Sequence, residues 1–346
     1  MKDFEGYKKK LRYSLKKAGY EKDDISAFIK YASNLDVQNL PIIFNYEHFS
    51  QLVGYQDIFV LQLSNSNDNY KEFHIPKKNG GFRVIDEPLP SLKEIQTWIL
   101  QNILVPASKQ KVSLQSKAFM PKINIRDNAK FHRGQKKVVC LDIKDFFPSI
   151  KYYHVYSLFK GLGYSKGVST LLSRLCTYKE CLPQGAPTSP MLSNMIMLEF
   201  DNKLFSFCRE KKLRYTRYAD DITISGNDII VPEIISYVNK LLKEYGFRIN
   251  EKKTKVLGRG TCQHVTGITV NQKLQASRQY RMKIRQEVYY IHKYGLLGHM
   301  SRANFKGSPT YYLHHLIGKL NFILMVNSKD EKAKRDLEFL KLLDNN

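Results

Sequence analysis

An α+β fold is what this chain predicts, and three observations carry the expectation. Apolar residues recur at helical spacing near both ends and in several internal stretches. Between them lie short apolar runs bounded by Gly, Pro and Asn, the pattern of strands and hairpins. The length of 346 residues, with 42% hydrophobic and 25% charged residues, suffices for two or three subdomains with solvated surfaces.

Taken in order, residues 1–60 are expected to be mainly helical, with Lys8, Lys9, Lys10, Arg12, Lys16 and Lys17 clustered near the start. The stretch from Leu61 to Pro88 reads as strand, polar loop, strand, a turn at Asn79-Gly80-Gly81 and a return strand ending before Pro88. Lys77, Lys78 and Arg83 sit at that hairpin's tip. Ser91 is a candidate cap for a helix burying Leu92, Ile95, Ile99 and Trp98. "KKVVCLDIKDFFPSI", residues 136–150, predicts a strand covered on both faces and ended by Pro148, with Val138, Cys140 and Asp142 sharing one face. A Pro and Gly loop then leads into a helix with Ser189 as cap and Pro190 at its first position, burying Met197, Phe200, Leu204, Phe207 and Cys208. "RYTRYADDITISG", residues 214–226, predicts strand, tight turn and strand. A helix to Gly246, a short strand with a basic turn, and a strand around Gly267 follow. Beyond about residue 272 the pattern is helical and basic, with Ile284, Val288 and Ile291 for packing.

Composition narrows the partners. Lys and Arg number 56 against 32 Asp and Glu, a net charge of +24 spread through the chain, which points to a polyanion and first to nucleic acid. No apolar run approaches the roughly 18 to 20 residues that span a bilayer, so a membrane partner is not expected. The basic N-terminus lacks the apolar core of a signal peptide. The five cysteines, Cys140, Cys176, Cys181, Cys208 and Cys262, form no C-x-x-C pair, so a reduced, cytoplasmic protein is expected.

Asp220 and Asp221 are the sequence's sharpest chemical signal. At an effective dielectric near 20, unit charges about 4 Å apart repel by roughly 4 kcal/mol. If the strand bearing Asp142 pairs beside that hairpin, three carboxylates converge. Oxygen-only donors of this kind favour Mg²⁺, and two such ions can serve phosphoryl transfer. Taken alone, an Asp-Asp pair is more often a solvated turn; it is the order of the surrounding motifs that gives it weight.

"LDIKDFFPSI", "LPQGAPTSPMLSN", "YADD" and "GFRINEKKTKV" resemble the palm motifs of the reverse transcriptases, in the family's order, and "HIPKKNGGFRVI" resembles its fingers hairpin. Together these cover roughly residues 70 to 270. "NAKFH" at 128–132 and "VTG" at 265–267 are similar to two short signatures of the retron reverse transcriptases. The resemblance implies a right-hand polymerase: an N-terminal helical extension over 1–60, fingers over 61–135, a palm over 136–270 that is an antiparallel sheet backed by helices and carries some finger insertions, and a helical thumb over 271–346.

Carried over by residue, the resemblance implies that Asp142, Asp220 and Asp221 bind two Mg²⁺ ions, with the Ile143 carbonyl a further ligand. Phe147 matches the aromatic gate that rejects a ribose 2′-hydroxyl, while Phe146 is expected to be core. Lys77 and Arg83 match the triphosphate contacts, Gln184 a nucleotide contact beside Gly185, and Lys253 the lysine that protonates departing pyrophosphate. Ala219 departs from the methionine or valine of some relatives, which bears on fidelity and leaves the reaction class alone. Asn128, His132, Val265, Thr266 and Gly267 are expected to recognise RNA, with His132 equally readable as a hydrogen-bonded structural histidine, and Arg278, Arg281, Lys283, Arg285 and Lys293 to follow the template–primer phosphates. Tyr289, Tyr290, Tyr311 and Tyr312 are expected either to stack on nucleic acid or to be half buried.

The retron likeness further implies a cognate structured noncoding RNA that supplies template and primer, priming from an internal 2′-OH, a branched RNA–DNA product, deoxynucleotide substrates and an effector protein in anti-phage defence. Other readings stay open: a template-independent or intron-type bacterial reverse transcriptase, or an RNA-binding scaffold with a vestigial site. The intact aspartates, Phe147 and the "LPQG" loop weigh against the scaffold.

Overall fold

Four helices begin the chain, at Phe4–Lys17, Lys22–Val37, Tyr46–Val53 and Asp57–Asn65, in a computed structural model that describes residues 3–77 and 80–344. Lys78 and Asn79 of the expected hairpin tip lie outside the described residues. Polar side chains start two of these helices: Asp3 accepts from the Gly6 N–H at 2.8 Å and Asn45 from that of His48 at 2.9 Å. Where a strand is expected to open at Leu61, the fourth helix continues to Asn65, because Val60, Leu63 and Ser64 fall at helical spacing and are all buried.

The chain divides into two compact units assembled from alternating stretches: residues 1–119, 143–204 and 239–248 in one, and 120–142, 205–238 and 249–346 in the other. The first unit holds the four helices and an antiparallel ribbon of β1 (Tyr70–Pro76) and β2 (Phe82–Pro88), paired from Tyr70↔Pro88 to Pro76↔Phe82. The next helix begins at Pro90, one residue before the expected cap, since proline suits the first helical position and needs no amide partner there. It buries Leu92, Ile95 and Ile99, while Trp98 stays half buried, its ring centroid 5.6 Å from that of Phe49 in an edge-to-face pair. Gln96 in this core donates to the Leu175 carbonyl at 2.8 Å. Further helices at Tyr152–Gly161, Lys166–Cys176 and Ser189–Ile196 complete the unit; the last is capped at Thr188, one residue before the expected Ser189.

The second unit centres on a four-stranded antiparallel sheet of β3 (Lys137–Asp142), β4 (Arg214–Tyr218), β5 (Asp221–Gly226) and β6 (Lys255–Gly258), in the order β4-β5-β3-β6. β3 is buried along nearly its whole length, as its run of Val, Cys and Leu predicts. It ends at Asp142, earlier than Pro148 suggested: Asp145 turns into the left-handed region at φ 47° and Phe146–Ser149 forms a helical turn. The "VTG" stretch is not one strand but the turn of a small sheet of β7 (His264–Val265), β8 (Ile268–Thr269) and β9 (Gln275–Ala276). Thr266 (φ 46°) and Gly267 (φ 82°) form its two-residue tip. Helices Arg278–Arg302, Pro309–Val326 and Glu331–Asp344 follow, packed around Ile284, Val288, Ile291, Leu316, Leu320 and Leu340.

Candidate active site and nucleic-acid interface

Register places the acids. β3 pairs with β5 so that Asp142 lies directly opposite Asp221, and β5 pairs with β4 so that Asp221 also faces Tyr218. Side chains of opposed residues share a face, with Cβ atoms about 5 Å apart, where like charges repel. Asp220 occupies the two-residue turn before Asp221, after Ala219 at φ 57°. An L-residue there carries strain of about 1–2 kcal/mol, and Arg217, wholly buried, donates to the Ala219 carbonyl at 3.0 Å and fixes the turn.

The electrostatics follow from this crowding. The Asp221 carboxyl is pushed up to about 6, first by desolvation and then by the charges of Asp220 and Asp142, against the pull of Lys253 and Lys255. Its side chain is nonetheless open to solvent, so water screens part of that effect. Asp142 is buried, and the Lys253 ammonium meets its Oδ2 at 2.7 Å while the Asn250 N–H donates to its backbone carbonyl at 2.7 Å. The Lys253 amine is raised above the usual lysine range, first by its hydrogen bond to Asp142. Among the described residues, no three His, Cys, Asp or Glu side chains are drawn closely enough together to hold a metal ion; beside Asp142 the cation is an ammonium.

Along the same face of the sheet runs a buried polar network. Opposed pairs Asp142↔Asp221, Cys140↔Thr223 and Val138↔Ser225, with Thr216↔Thr223 on β4, put Thr216 and Ser225 on the side that carries the acids. The Thr216 hydroxyl donates to Asn128 Oδ1 at 2.6 Å, so its oxygen accepts from His132 Nε2–H at 2.8 Å. Nδ1 of the neutral ring then accepts from the Ser225 hydroxyl at 2.7 Å. Burial, and after it the Arg214 charge, drives the His132 pKa down to about 3. Arg214 itself clamps the Phe131 carbonyl at 2.7 Å. Asn128 also donates to Thr266 Oγ1 at 3.4 Å, while Val265 and Ala129 pack in one apolar cluster with Val138 and Ile268.

These contacts bear on the expectation that Asn128, His132 and Val265 recognise RNA, because they engage those side chains within the protein. Asn128 and Val265 are 1% exposed and His132 0%. Those three side chains are enclosed, while Lys130 and Phe131 of the first signature and Thr266 and Gly267 at the turn reach solvent. Arg281 and Arg285 are likewise engaged internally, at 3.7 and 3.5 Å from the carboxylate of buried Asp330. Asp330 Oδ1 also accepts from the Ala333 N–H at the start of the last helix. Arg278 is exposed.

In the first unit, Lys77 and Arg83 are exposed at the open end of the β1–β2 ribbon, where the Lys77 N–H donates to the Gly81 carbonyl at 2.9 Å. Gln184 is half buried, and its carbonyl accepts from the Asp86 N–H at 2.8 Å, tying the loop to β2. Gly185 is required here, since a Cβ would stand 2.6 Å from the Asp86 carbonyl oxygen. Phe147 is half buried, its ring 5.4 Å from that of Phe146 and 6.4 Å from Phe119, whereas Phe146 and the Ile143 side chain are core. Arg217 escaped the sequence reading. Its signal was an arginine alternating with Tyr215 on a strand otherwise built for burial.

Residues 75–285 match the family model described as reverse transcriptase (RNA-dependent DNA polymerase). The retron Mx65 reverse transcriptase of Myxococcus xanthus is 36% identical over 68% of this chain and 62% of that protein. The retron Ec86 reverse transcriptase of Escherichia coli is 31% identical over 88% of this chain and 92% of that protein. The chain thus spans less than two thirds of the Mx65 protein and nearly all of the Ec86 protein. Among solved structures, the apo telomerase of Candida tropicalis aligns over 81% of this chain and 58% of its own, at a TM-score of 0.51 and 12% identity, a likeness of fold alone.

Proposed function

The chain belongs to the reverse transcriptase family, and within it to the retron reverse transcriptases; from that premise we propose that it is an RNA-directed DNA polymerase copying a cognate structured noncoding RNA into single-stranded DNA. Synthesis starts from a 2′-OH within that RNA, uses deoxynucleotides, and serves an anti-phage defence system with an effector protein in the cytoplasm. The observation that carries this reading is the register that sets Asp142 against Asp221, with Asp220 in the adjoining turn. Within the right-hand fold, the proposed division is an extension over 1–60, fingers over 61–135, palm over 136–270 and thumb over 271–346. Among the described residues no helix is long and apolar enough to cross a membrane.

The family generally uses divalent metal ions. Asp142, Asp220 and Asp221, with the Ile143 carbonyl, are the groups that would hold them here, and an all-oxygen donor set suits two Mg²⁺. The upward push on the Asp221 carboxyl, from burial and then from the charges of Asp220 and Asp142, supports the fit, because a bound cation would offset it. Bound there, such ions supply charge stabilisation for attacking and departing oxygens.

The chain's own residues do the rest. Lys77 and Arg83 hold the triphosphate, Gln184 contacts the nucleotide, and the Phe147 ring closes the space a 2′-hydroxyl needs. Lys253 is protonated and within reach of the acids, as a donor to the leaving pyrophosphate must be. Thr266, Gly267 and Arg278 meet RNA directly. Asn128, His132 and Val265 act through them, holding the turn and bracing the sheet face that carries the acids. Arg281 and Arg285 reach phosphate in exchange for Asp330. Primer extension on the copurified RNA tests the reading: Asp221→Asn and Asp142→Asn should abolish DNA synthesis while RNA binding persists. Synthesis surviving in either variant would refute it.

A further inference from the structure

The helix Arg278–Arg302 is broken at Gly295, whose φ of 72° and ψ of 165° suit glycine alone. Residues from both sides of the break line a cavity of about 400 Å³: Lys283, Glu287, Tyr290 and Tyr294 before it, His299 and Arg302 after it. That volume falls in the range of small-ligand sites. One wall is a run of flat surfaces. The Tyr290 and Tyr294 rings lie 6.0 Å apart and near parallel, His299 stacks 5.9 Å from Tyr290, and the Arg302 guanidinium covers Tyr294 at 3.8 Å.

The polar groups are placed with equal economy. Glu287 is largely buried and accepts from the Tyr312 hydroxyl at 3.5 Å and the Lys319 ammonium at 3.4 Å, both long contacts. A carboxylate has about four acceptor positions, so Glu287 retains capacity towards the cavity. Tyr312 is held in turn by His299 Nε2 at 2.9 Å, which makes the acceptor a fixed part of the wall. Lys283 and Arg302 are exposed and cationic.

We propose that this cavity seats one unpaired nucleobase of a bound RNA: the base lies against Tyr290 and Tyr294, its amino or ring N–H edge meets Glu287, and its phosphate meets Lys283 and Arg302. The inference rests on the proposed RNA-binding function and names a contact beyond it. Flat π surfaces with a guanidinium suit a base face, and single-stranded loops are where proteins reach the edges of RNA bases. An acidic peptide is disfavoured by Glu287, and a purely apolar ligand would leave the remaining acceptor positions of that carboxylate unused.

The test uses the full chain and two fluorescein-labelled RNA hairpins of equal stem, one with a normal single-stranded loop and one with an abasic loop, read by anisotropy. The wild type should prefer the base-bearing loop by on the order of tenfold. Tyr294→Ala should erase that preference while leaving abasic-hairpin affinity intact, which also reports that the variant is folded. Tyr294→Phe should keep the preference, and Arg302→Ala should reduce it. Equal binding of both hairpins by the wild type, or a preference that survives Tyr294→Ala, overturns the pocket alone. Wild type binding neither hairpin overturns the pocket and the proposed function together.

Discussion

Thr216→Val is a sharp probe of the buried network. Valine matches threonine in volume, so packing around β4 is retained and only a hydroxyl is removed. That hydroxyl serves two partners: it donates to Asn128 Oδ1 at 2.6 Å and accepts from His132 Nε2–H at 2.8 Å. Both partners are wholly buried and neither finds water in its place. A buried polar group left unpaired costs about 1–3 kcal/mol, so the variant should lose roughly 2–6 kcal/mol. Ser225→Ala, which strips one acceptor position of its donor, should lose about half as much. The assay is hydrogen–deuterium exchange at the amides of Arg214–Gly226, with urea unfolding as the global measure. In Thr216→Val those amides should exchange faster, primer extension should slow because the hairpin bearing Asp220 and Asp221 is loosened, and RNA affinity should stay within about twofold. A tenfold loss of RNA affinity with unchanged exchange would mean that the signature reads RNA after all, and the positioning argument would be wrong.

Three further outcomes are expected. His132 has a folded pKa of about 3 against an ordinary 6.5, so its neutral form supports the fold above pH 6.5; as pH falls towards 3 the unfolded chain gains the proton first. Stability should drop by about 1.4 kcal/mol per pH unit in that window, and His132→Gln, less stable at neutral pH, should show a shallower slope in urea midpoints taken from pH 7.5 to 5. Lys253→Met removes the ammonium from Asp142, and Mn²⁺ binding followed by electron paramagnetic resonance should tighten by up to about fivefold, the measure of a solvent-facing ion pair; unchanged binding would show that the lysine does not compete with a cation. Gly185→Ala sets a methyl against the Asp86 carbonyl, so the loop must shift from β2, and the KM for deoxynucleotides should rise more than kcat falls in steady-state extension.

The sequence exposed whatever is written locally. Alternation over Arg214–Gly226 and the apolar run before Asp142 are properties of single strands, so those strands and the turn between Tyr218 and Asp221 were legible. Boundaries slipped where two local codes overlap: from Leu61 apolar and polar residues alternate briefly as in a strand, and burial of Val60 and Leu63 decided for helix. What stayed hidden depends on distant partners. Nothing near His132 says that Thr216 and Ser225 will enclose it, and nothing near Arg281 announces Asp330, so an arginine-rich helix looked free to bind phosphate when two of its cations were already engaged. His132 could be read from its signature equally as a contact or as a structural histidine, and only its distant hydrogen-bond partners show where its ring nitrogens are engaged.

The interleaving of the two units bears on how the chain is made. Central strand β3 emerges from the ribosome first, but its neighbours β5 and β6 lie far downstream, Asp142 waiting for Asp221 and Cys140 for Lys255. At about 5–20 residues per second, the interval before β5 is synthesised is roughly 4 to 16 s, and for that time an apolar strand has both hydrogen-bonding edges open. Nascent chains stalled before β5 should therefore be captured by holdase chaperones and be prone to aggregate. Expression at a slower translation rate should lengthen that vulnerable period rather than relieve it.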